Sequence, residues 1–491
     1  MMKFILAIDQ STQGTKAMLL DEQAKVLPAV SLPHRQIILD NGYVEHDPEE
    51  IYANVIKLAS MAVEEAGIRK EDILAIGLCN QRETSLAWDR KTGKCFGNAV
   101  VWQCARGEAI CREIEDRGLA ETIRRKTGLR LSPYFSAAKI AWILRNRQDA
   151  QEAAARGDFL AGTVDSYLLY RLTHGEQFRT DVSNASRTQL MNLETLDWDE
   201  EVCGYFGLKP EMLPEICASD SLFGMTDLEG TFPAPIPVHA MLGDSHASLF
   251  GHGCRKAGQM KSSYGTGSSI MMNIGEKPVL SEQGLVTSLA WKIGGKTMYV
   301  LEGNVNYSGA VMTWAIKDLG LLASPSEADE LIAQASPEDT TYIVPAFSGL
   351  GAPYWESGAK AMIYGMSRST GRAEIVRAVD ECIVYQVTDI VKIMEEESGY
   401  PVAQVSADGG GSKGRFLMQF QSDMLNVPVN ASRNPELSAT GAGYAAGLGL
   451  GLYDESVFEN RDYESYAPQI SEEERARKMN GWKDAVRRVL L

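Results

Sequence analysis

Two aspartates close short apolar runs, and turns rich in glycine and hydroxyls recur nearby. Asp9 ends the run from Lys3 to Ile8 and leads into Gln10-Ser-Thr-Gln-Gly-Thr15; Asp244 ends Val238-His-Ala-Met-Leu-Gly243. Related turns stand at Tyr264-Gly-Thr-Gly-Ser-Ser269 and at Asp408-Gly-Gly-Gly-Ser412. Glycine lets backbone N–H groups come up to an anion, and Ser and Thr hydroxyls add donors, so each turn could cradle a phosphate. Taken singly, each is an ordinary tight turn. Three in one chain, two of them at aspartate-ended strands, point to a nucleotide's phosphate chain. A carboxylate beside such a chain can face a divalent cation or take up a proton. The P-loop is absent: Gly295-Lys296-Thr297 is preceded by Ala290 where that loop needs its first glycine, and a strand-like run follows, so it reads as a hairpin turn.

The elements that position these residues alternate between strand and helix. Residues 3–9, a polar turn and a run from Lys16 form a hairpin. Asp47-Pro48-Glu49-Glu50 opens a helix with a capping acid, a first-turn proline and acids at the positive end of the dipole. Its apolar positions Ile51, Val55, Leu58, Ala59 and Ala62 keep helical spacing. Strands follow at 73–79 and 238–244, and 261–273 repeats the pattern of strand, turn and strand. A long helix is expected over 373–398, a strand over 404–408 and a helix through 416–424. The Gly- and Ala-rich residues 440–450 read as a helix packed closely on a neighbour. The pattern is α/β, and the echo of one turn string in the other suggests two similar lobes. The boundary is placed after the loose span 220–237, giving domains 1–248 and 249–491.

A chain of 491 residues exceeds one ordinary core, which agrees with two domains. Its net charge of −17 argues against nucleic acid as a partner, because phosphate backbones demand clustered Lys and Arg. The eight cysteines form no Cys-x-x-Cys pair, so reduced thiols in a cytoplasmic protein are expected rather than a zinc site or disulfide framework. Neither a signal-peptide pattern nor a run of about twenty apolar residues appears, so no membrane partner is expected.

Longer strings carry a family likeness. Tyr134-Phe-Ser-Ala-Ala-Lys139-Ile-Ala-Trp142-Ile-Leu-Arg-Asn146 resembles the first signature of the FGGY family of carbohydrate kinases. Ala361-Met-Ile-Tyr-Gly365-Met366, with Glu374-Ile-Val-Arg-Ala378 and Glu381, resembles the second; Asp380 departs where that pattern has an aliphatic residue. Within the family the likeness is to its glycerol kinases, through Val44-Glu-His-Asp-Pro48, Asn80-Gln-Arg-Glu-Thr84, Val101-Trp-Gln-Cys104, Asn184-Ala-Ser-Arg-Thr188, Gly349-Leu-Gly-Ala-Pro-Tyr-Trp355 and Phe416-Leu-Met-Gln-Phe-Gln-Ser-Asp423. The resemblance implies two actin-like (ribonuclease H-like) ATPase lobes with a cleft between them, ATP and Mg²⁺, a small polyol or sugar as substrate, and a homodimer or homotetramer.

The same resemblance implies roles residue by residue. Asp244 would be the catalytic base and Asp9 would stand near Mg²⁺, with Asp244 also facing the metal. Thr12, Gln13, Gly14 and Lys16 would meet the nucleotide phosphates at the first turn, and Thr266 and Gly267 at the second. Gly309, Thr313, Gly410 and Gly414 match further nucleotide positions. Lys16, Thr313 and Gly414 replace the Arg, Gln and Asn common in glycerol kinases. Arg82 and Glu83 would grip polyol hydroxyls, with Trp102 and Tyr134 lining the pocket. Ser245 and Ser269 stand where glycerol kinases carry Gln and Phe, so the pocket is expected to be larger and more polar. Glycerol is the lead substrate and a four- or five-carbon polyol or ketose the alternative. A different class, an actin-like nucleotide-binding regulator without kinase activity, would turn over ATP indifferently to small alcohols.

Overall fold

In the computed structural model, which describes residues 2–459 and 461–491, the apolar run before Asp9 forms β1 (Phe4–Gln10). It turns back onto β2 (Gly14–Leu20), with Asp9 opposite Lys16. β3 (Val30–Pro33) adds antiparallel to β2. α1 (Pro48–Glu65) begins at the expected cap: the Asp47 carboxylate accepts the Glu49 N–H at 2.9 Å. Its anticipated apolar face is buried throughout. β4 (Ile73–Asn80) runs parallel to β1. The helices α2 (Ser136–Asn146) and α3 (Val182–Ala185) follow. A short strand, β5 (Gly224–Thr226), occupies the span expected to be loose, and β6 (Ile236–Gly243) runs parallel to β4. The first sheet has the order β5-β6-β4-β1-β2-β3.

Asp244 differs from its expected place. Strand pairing stops at Gly243 opposite Asn80, and Asp244 is the first residue of α4 (Asp244–Gly251). The reason is electrostatic: a carboxylate in the first turn meets the helix's free N–H groups, and the Ser245 N–H donates to Asp244 Oδ1 at 2.6 Å.

The second sheet opens in the same way, with β7 (Met260–Tyr264) and β8 (Ser268–Gly275) as an antiparallel hairpin. β9 (Val286–Ile293) and β10 (Lys296–Val305) form the next hairpin. Gly294 and Gly295 both take positive φ in its two-residue turn, so the expected hairpin stands where a P-loop had to be excluded. α5 (Gly309–Lys317) and the long α6 (Arg372–Ser398) follow. β11 (Val405–Asp408) runs parallel to β7, with Asp408 opposite Ser263. α7 (Arg415–Leu425), β12 (Val429–Ser432), α8 (Leu437–Gly449) and β13 (Tyr463–Tyr466) follow, and α9 (Glu472–Val489) packs Trp482 into the core of this lobe. Its strand order is β9-β10-β8-β7-β11-β12-β13.

Each sheet has its own apolar core. A further core joins the lobes, from Ile5, Ala7 and Cys79 through Ala247 to Met271, Val300 and Ala442. α8 makes this possible by lying against α4: a Cβ on Gly441 would stand 1.8 Å from the Ala247 carbonyl oxygen, so only glycine permits that approach. The C-terminal ends of β1, β4 and β6 meet the second sheet at the cleft, where Arg82, in the turn after β4, reaches Glu302 of β10. All eight cysteines are free, and no helix among the described residues is long and apolar enough to cross a membrane.

Candidate active site

The tight turn after β4 presents Arg82 and Glu83. Glu83 adopts φ +59°, unusual for a residue with a side chain. Its carbonyl accepts the Ser85 hydroxyl at 2.9 Å and the Ser136 hydroxyl of α2 at 3.2 Å, which helps hold that conformation. Arg82 is buried, with Nε 3.3 Å from Asp244 Oδ1. Its two terminal nitrogens donate to Glu302 of β10 at 2.9 Å each. Glu83 Oε1 accepts from Arg187 Nε at 2.5 Å, and Arg187 Nη1 lies 2.9 Å from Glu302.

Trp102 and Tyr134 stand beside this pair, their rings edge to face at 5.6 Å. The Trp102 indole N–H donates to Thr12 Oγ1 at 3.0 Å, which ties this wall to the first phosphate turn. Burial pushes the Tyr134 phenol well above its ordinary range, so it stays protonated. Lys139 of α2 donates to the carbonyls of Tyr134 and Phe135, fixing the backbone at that wall. Its burial lowers the ammonium pKa to about 7. Ser245 and Ser269 are half-buried, and the Ser269 hydroxyl oxygen is sealed from solvent with no hydrogen-bond partner among the described residues.

The two phosphate-type turns and the third glycine turn differ from this pocket in construction. Gln13 and Thr266 are exposed at their tips, and Gly14 and Gly267 are half-buried at the returns. A Cβ on Gly267 would lie 2.4 Å from the Val305 carbonyl oxygen. The Gly309 N–H donates to the Gly265 carbonyl, so α5 starts directly against the second turn. One turn into α5, the exposed Thr313 donates its hydroxyl back to the Gly309 carbonyl at 2.9 Å. Gly410 opens a 3₁₀ turn closed by Gly414, and the backbone of Gly409 passes against Tyr264 at the foot of the second turn. Lys16, expected at the phosphates, instead donates to Glu436 beside α8 at 2.7 and 2.8 Å.

Asp9 sits at the floor. Burial, then the charge of Asp244, raises its pKa to about 7, while the Cys79 thiol donates to it at 3.4 Å. Two carboxylates that repel each other in a buried site fit a divalent cation. Among the described residues no group of three or more His, Cys, Asp or Glu could hold a metal. Two carboxylates alone suit Mg²⁺, which keeps water and takes phosphate oxygens as its other ligands.

The cleft therefore brings together Arg82, Glu83, Trp102, Tyr134, Thr12, Asp9 and Asp244. The residues expected to meet the nucleotide beyond the first turn stand on the second turn, the start of α5 and the Gly410 turn. Glu302 and Arg187 did not emerge as site residues from sequence. Arg187 lay inside a quoted string without a role. A glutamate following the apolar run Met298–Leu301 was the available signal, because a carboxylate on a buried strand requires a cation.

The models of the N-terminal and C-terminal domains of the FGGY family of carbohydrate kinases match residues 4–251 and 260–450. The chain is 46% identical over 490 residues to glycerol kinase 1 of Thermotoga maritima, covering 99% of each. It is 41% identical to a glycerol kinase of Vibrio cholerae, covering 99% of this chain and 97% of that one. Among solved structures it is similar to Plasmodium falciparum glycerol kinase with ADP, at TM-score 0.94 and 35% identity over 100% of this chain and 99% of that one. A gluconate kinase from Lactobacillus acidophilus shares the fold at TM-score 0.89 and 23% identity, covering 100% of this chain and 98% of that one.

Proposed function

The chain belongs to the FGGY family of carbohydrate kinases, and we propose that it phosphorylates a terminal hydroxyl of glycerol, with Asp244 as the base. It is an ATP-dependent kinase of the glycerol kinase type. We assign polyol binding and the first phosphate turn to residues 1–248, and the second phosphate turn and adenosine to residues 249–491. On the family resemblance we take it to be a cytoplasmic homodimer or homotetramer that needs neither nucleic acid nor membrane.

The observation that carries the reading is the 3.3 Å approach of Arg82 Nε to Asp244 Oδ1. That approach supports the reading, in which the Arg82 guanidinium would grip a substrate hydroxyl beside a carboxylate that can accept its proton. Arg82 and Glu83 offer a donor and an acceptor for neighbouring hydroxyls, and the Trp102 and Tyr134 rings cover C–H groups. As the hydroxyl oxygen bonds to the γ-phosphorus, its proton passes to Asp244 and the bond from that phosphorus to ADP breaks. Thr12, Gln13 and Gly14, with Thr266 and Gly267, hold the phosphate chain in line through backbone N–H groups and hydroxyls. Gly309, Thr313, Gly410 and Gly414 bound the adenosine side, and Lys16 would have to leave Glu436 to reach the phosphates. Asp9 and Asp244 would hold Mg²⁺, a group that would supply charge neutralisation at the phosphates.

The unpartnered Ser269 hydroxyl favours a second reading, in which an extra substrate hydroxyl pairs with it. Ser245 would border the same enlarged space. A coupled ADP-release assay across glycerol, erythritol, xylitol, ribitol, xylulose and ribulose decides between them. Highest kcat/KM on glycerol supports the first reading; a four- or five-carbon acceptor ahead of glycerol replaces it with the second.

A further inference from the structure

Glu302 is fully buried on β10, at the end of an otherwise apolar run, in the lobe opposite the polyol grip. Two arginines of the first lobe converge on it. Arg82 reaches it with both terminal nitrogens at 2.9 Å, and Arg187 Nη1 approaches one of its oxygens at 2.9 Å. Arg187 also binds Glu83, so both members of the polyol grip are tied to the same carboxylate, one directly and one through Arg187. Burial alone would keep Glu302 protonated; the Arg187 and Arg82 guanidiniums overcome it and hold the carboxyl well below its usual range.

A carboxylate placed only for stability is a poor solution, since replacing a buried ion pair with apolar side chains often costs nothing. The register of β10 points to another use. Glu302 lies opposite Met271 of β8, and three residues on, Val305 lies opposite Ser268, at the return of the second phosphate turn. The Val305 carbonyl is the atom against which Gly267 is packed. One short stretch of β10 thus carries at one end the anchor of the polyol grip and at the other the support of the phosphate turn.

We infer that Glu302 is a positioning residue: it aims the Arg82 fork and, through Arg187, the Glu83 carboxylate, and couples the polyol grip to the second phosphate turn across the cleft. This rests on the polyol kinase reading. The coupling means that ATP and polyol each favour the same apposition of the lobes, so each tightens the binding of the other.

The test is Glu302→Gln, which keeps shape and one acceptor but removes the charge. Glycerol KM should rise at least about tenfold with a lower kcat, because truncating a buried hydrogen-bonded charge pair is costly. ATP affinity without glycerol should stay within about twofold, and the tightening of ATP by glycerol should disappear. Glu302→Asp, which restores the charge, should recover part of the glycerol KM. A folded Glu302→Gln enzyme with wild-type glycerol KM and intact coupling overturns the inference. If Glu302→Gln does not fold, Arg187→Lys replaces it. That variant keeps the charge but loses the fork, so glycerol KM should rise about fivefold, and an unchanged KM overturns the inference equally. Absence of polyol-dependent ADP release in the wild-type enzyme would instead defeat the functional reading, so the two failures are distinguishable.

Discussion

The proposed polyol end and the proposed nucleotide end of the cleft are built by opposite means. At the polyol end, buried charged side chains grip one another: Arg82 with Glu302 and Asp244, and Arg187 with Glu83 and Glu302. At the nucleotide end, glycine turns present backbone, and side chains such as Gln13, Thr266 and Thr313 are exposed. A network of buried charges selects sharply, because an acceptor that leaves any member unpaired incurs its full desolvation cost. Backbone turns read the shape and charge of a phosphate chain and tolerate changes in nearby side chains. The contrast predicts that each substitution will weigh more heavily on one substrate than on the other.

The largest effect is expected from Arg82→Ala. Removing one partner of a buried pair costs about 3–5 kcal/mol, so kcat/KM for glycerol should fall by about two to four orders of magnitude. ATP affinity, read by nucleotide titration without glycerol, should hardly move. Gly267→Ala is the mirror case. Its Cβ would meet the Val305 carbonyl at 2.4 Å and displace the second turn, so ATP KM should rise about ten- to a hundredfold with glycerol KM less affected. Equal losses on both substrates in either variant would break the comparison.

Asp380 of α6 sharpens the contrast between a paired and an unpaired buried charge. Unlike Glu302, the charges that influence it are the acids Asp329 and Glu381. Burial first, then those acids, raises its pKa from 3.8 to about 7. Between those values the folded state holds a proton that the unfolded chain releases, so stability falls as pH rises through that window. Asp380→Asn should therefore stabilise the protein by on the order of 2 kcal/mol at pH 8 and by almost nothing at pH 4, read by denaturant unfolding. Thr313→Ala should have the smallest effect. Its exposed hydroxyl bonds only its own helix, so ATP KM should change by less than about twofold in steady-state assays.

Much of the scaffold was legible because its signals are local. The Asp47 cap, the spacing from Ile51 to Ala62, the paired-glycine hairpin at Gly294 and Gly295, and the span of α6 each depend on neighbours within a few turns of chain. The Gly- and Ala-rich stretch announced the close helix contact that Gly441 makes with Ala247. The contacts that complete the site are not local. Arg82 and Glu302 are 220 residues apart, and Lys16 and Glu436 are 420 apart. No periodicity or cap records such pairings. Asp244 was read as a strand end; that it opens α4 depends on where β6 stops pairing with β4. The roles given to Asp9, Asp244 and the turn residues came from family likeness, and the fold brings Arg82 beside Asp244.

The central claim is phosphoryl transfer to glycerol with Asp244 taking the proton. The most direct measurement is glycerol-dependent ADP release in the wild-type enzyme and in Asp244→Ala, alongside ATP binding by both. The account predicts robust release by the wild type and a loss of about a thousandfold or more in kcat for the variant, with ATP still bound. Retention of near wild-type turnover by a folded Asp244→Ala enzyme, or ATP hydrolysis by the wild type that ignores glycerol and every other polyol, would contradict it.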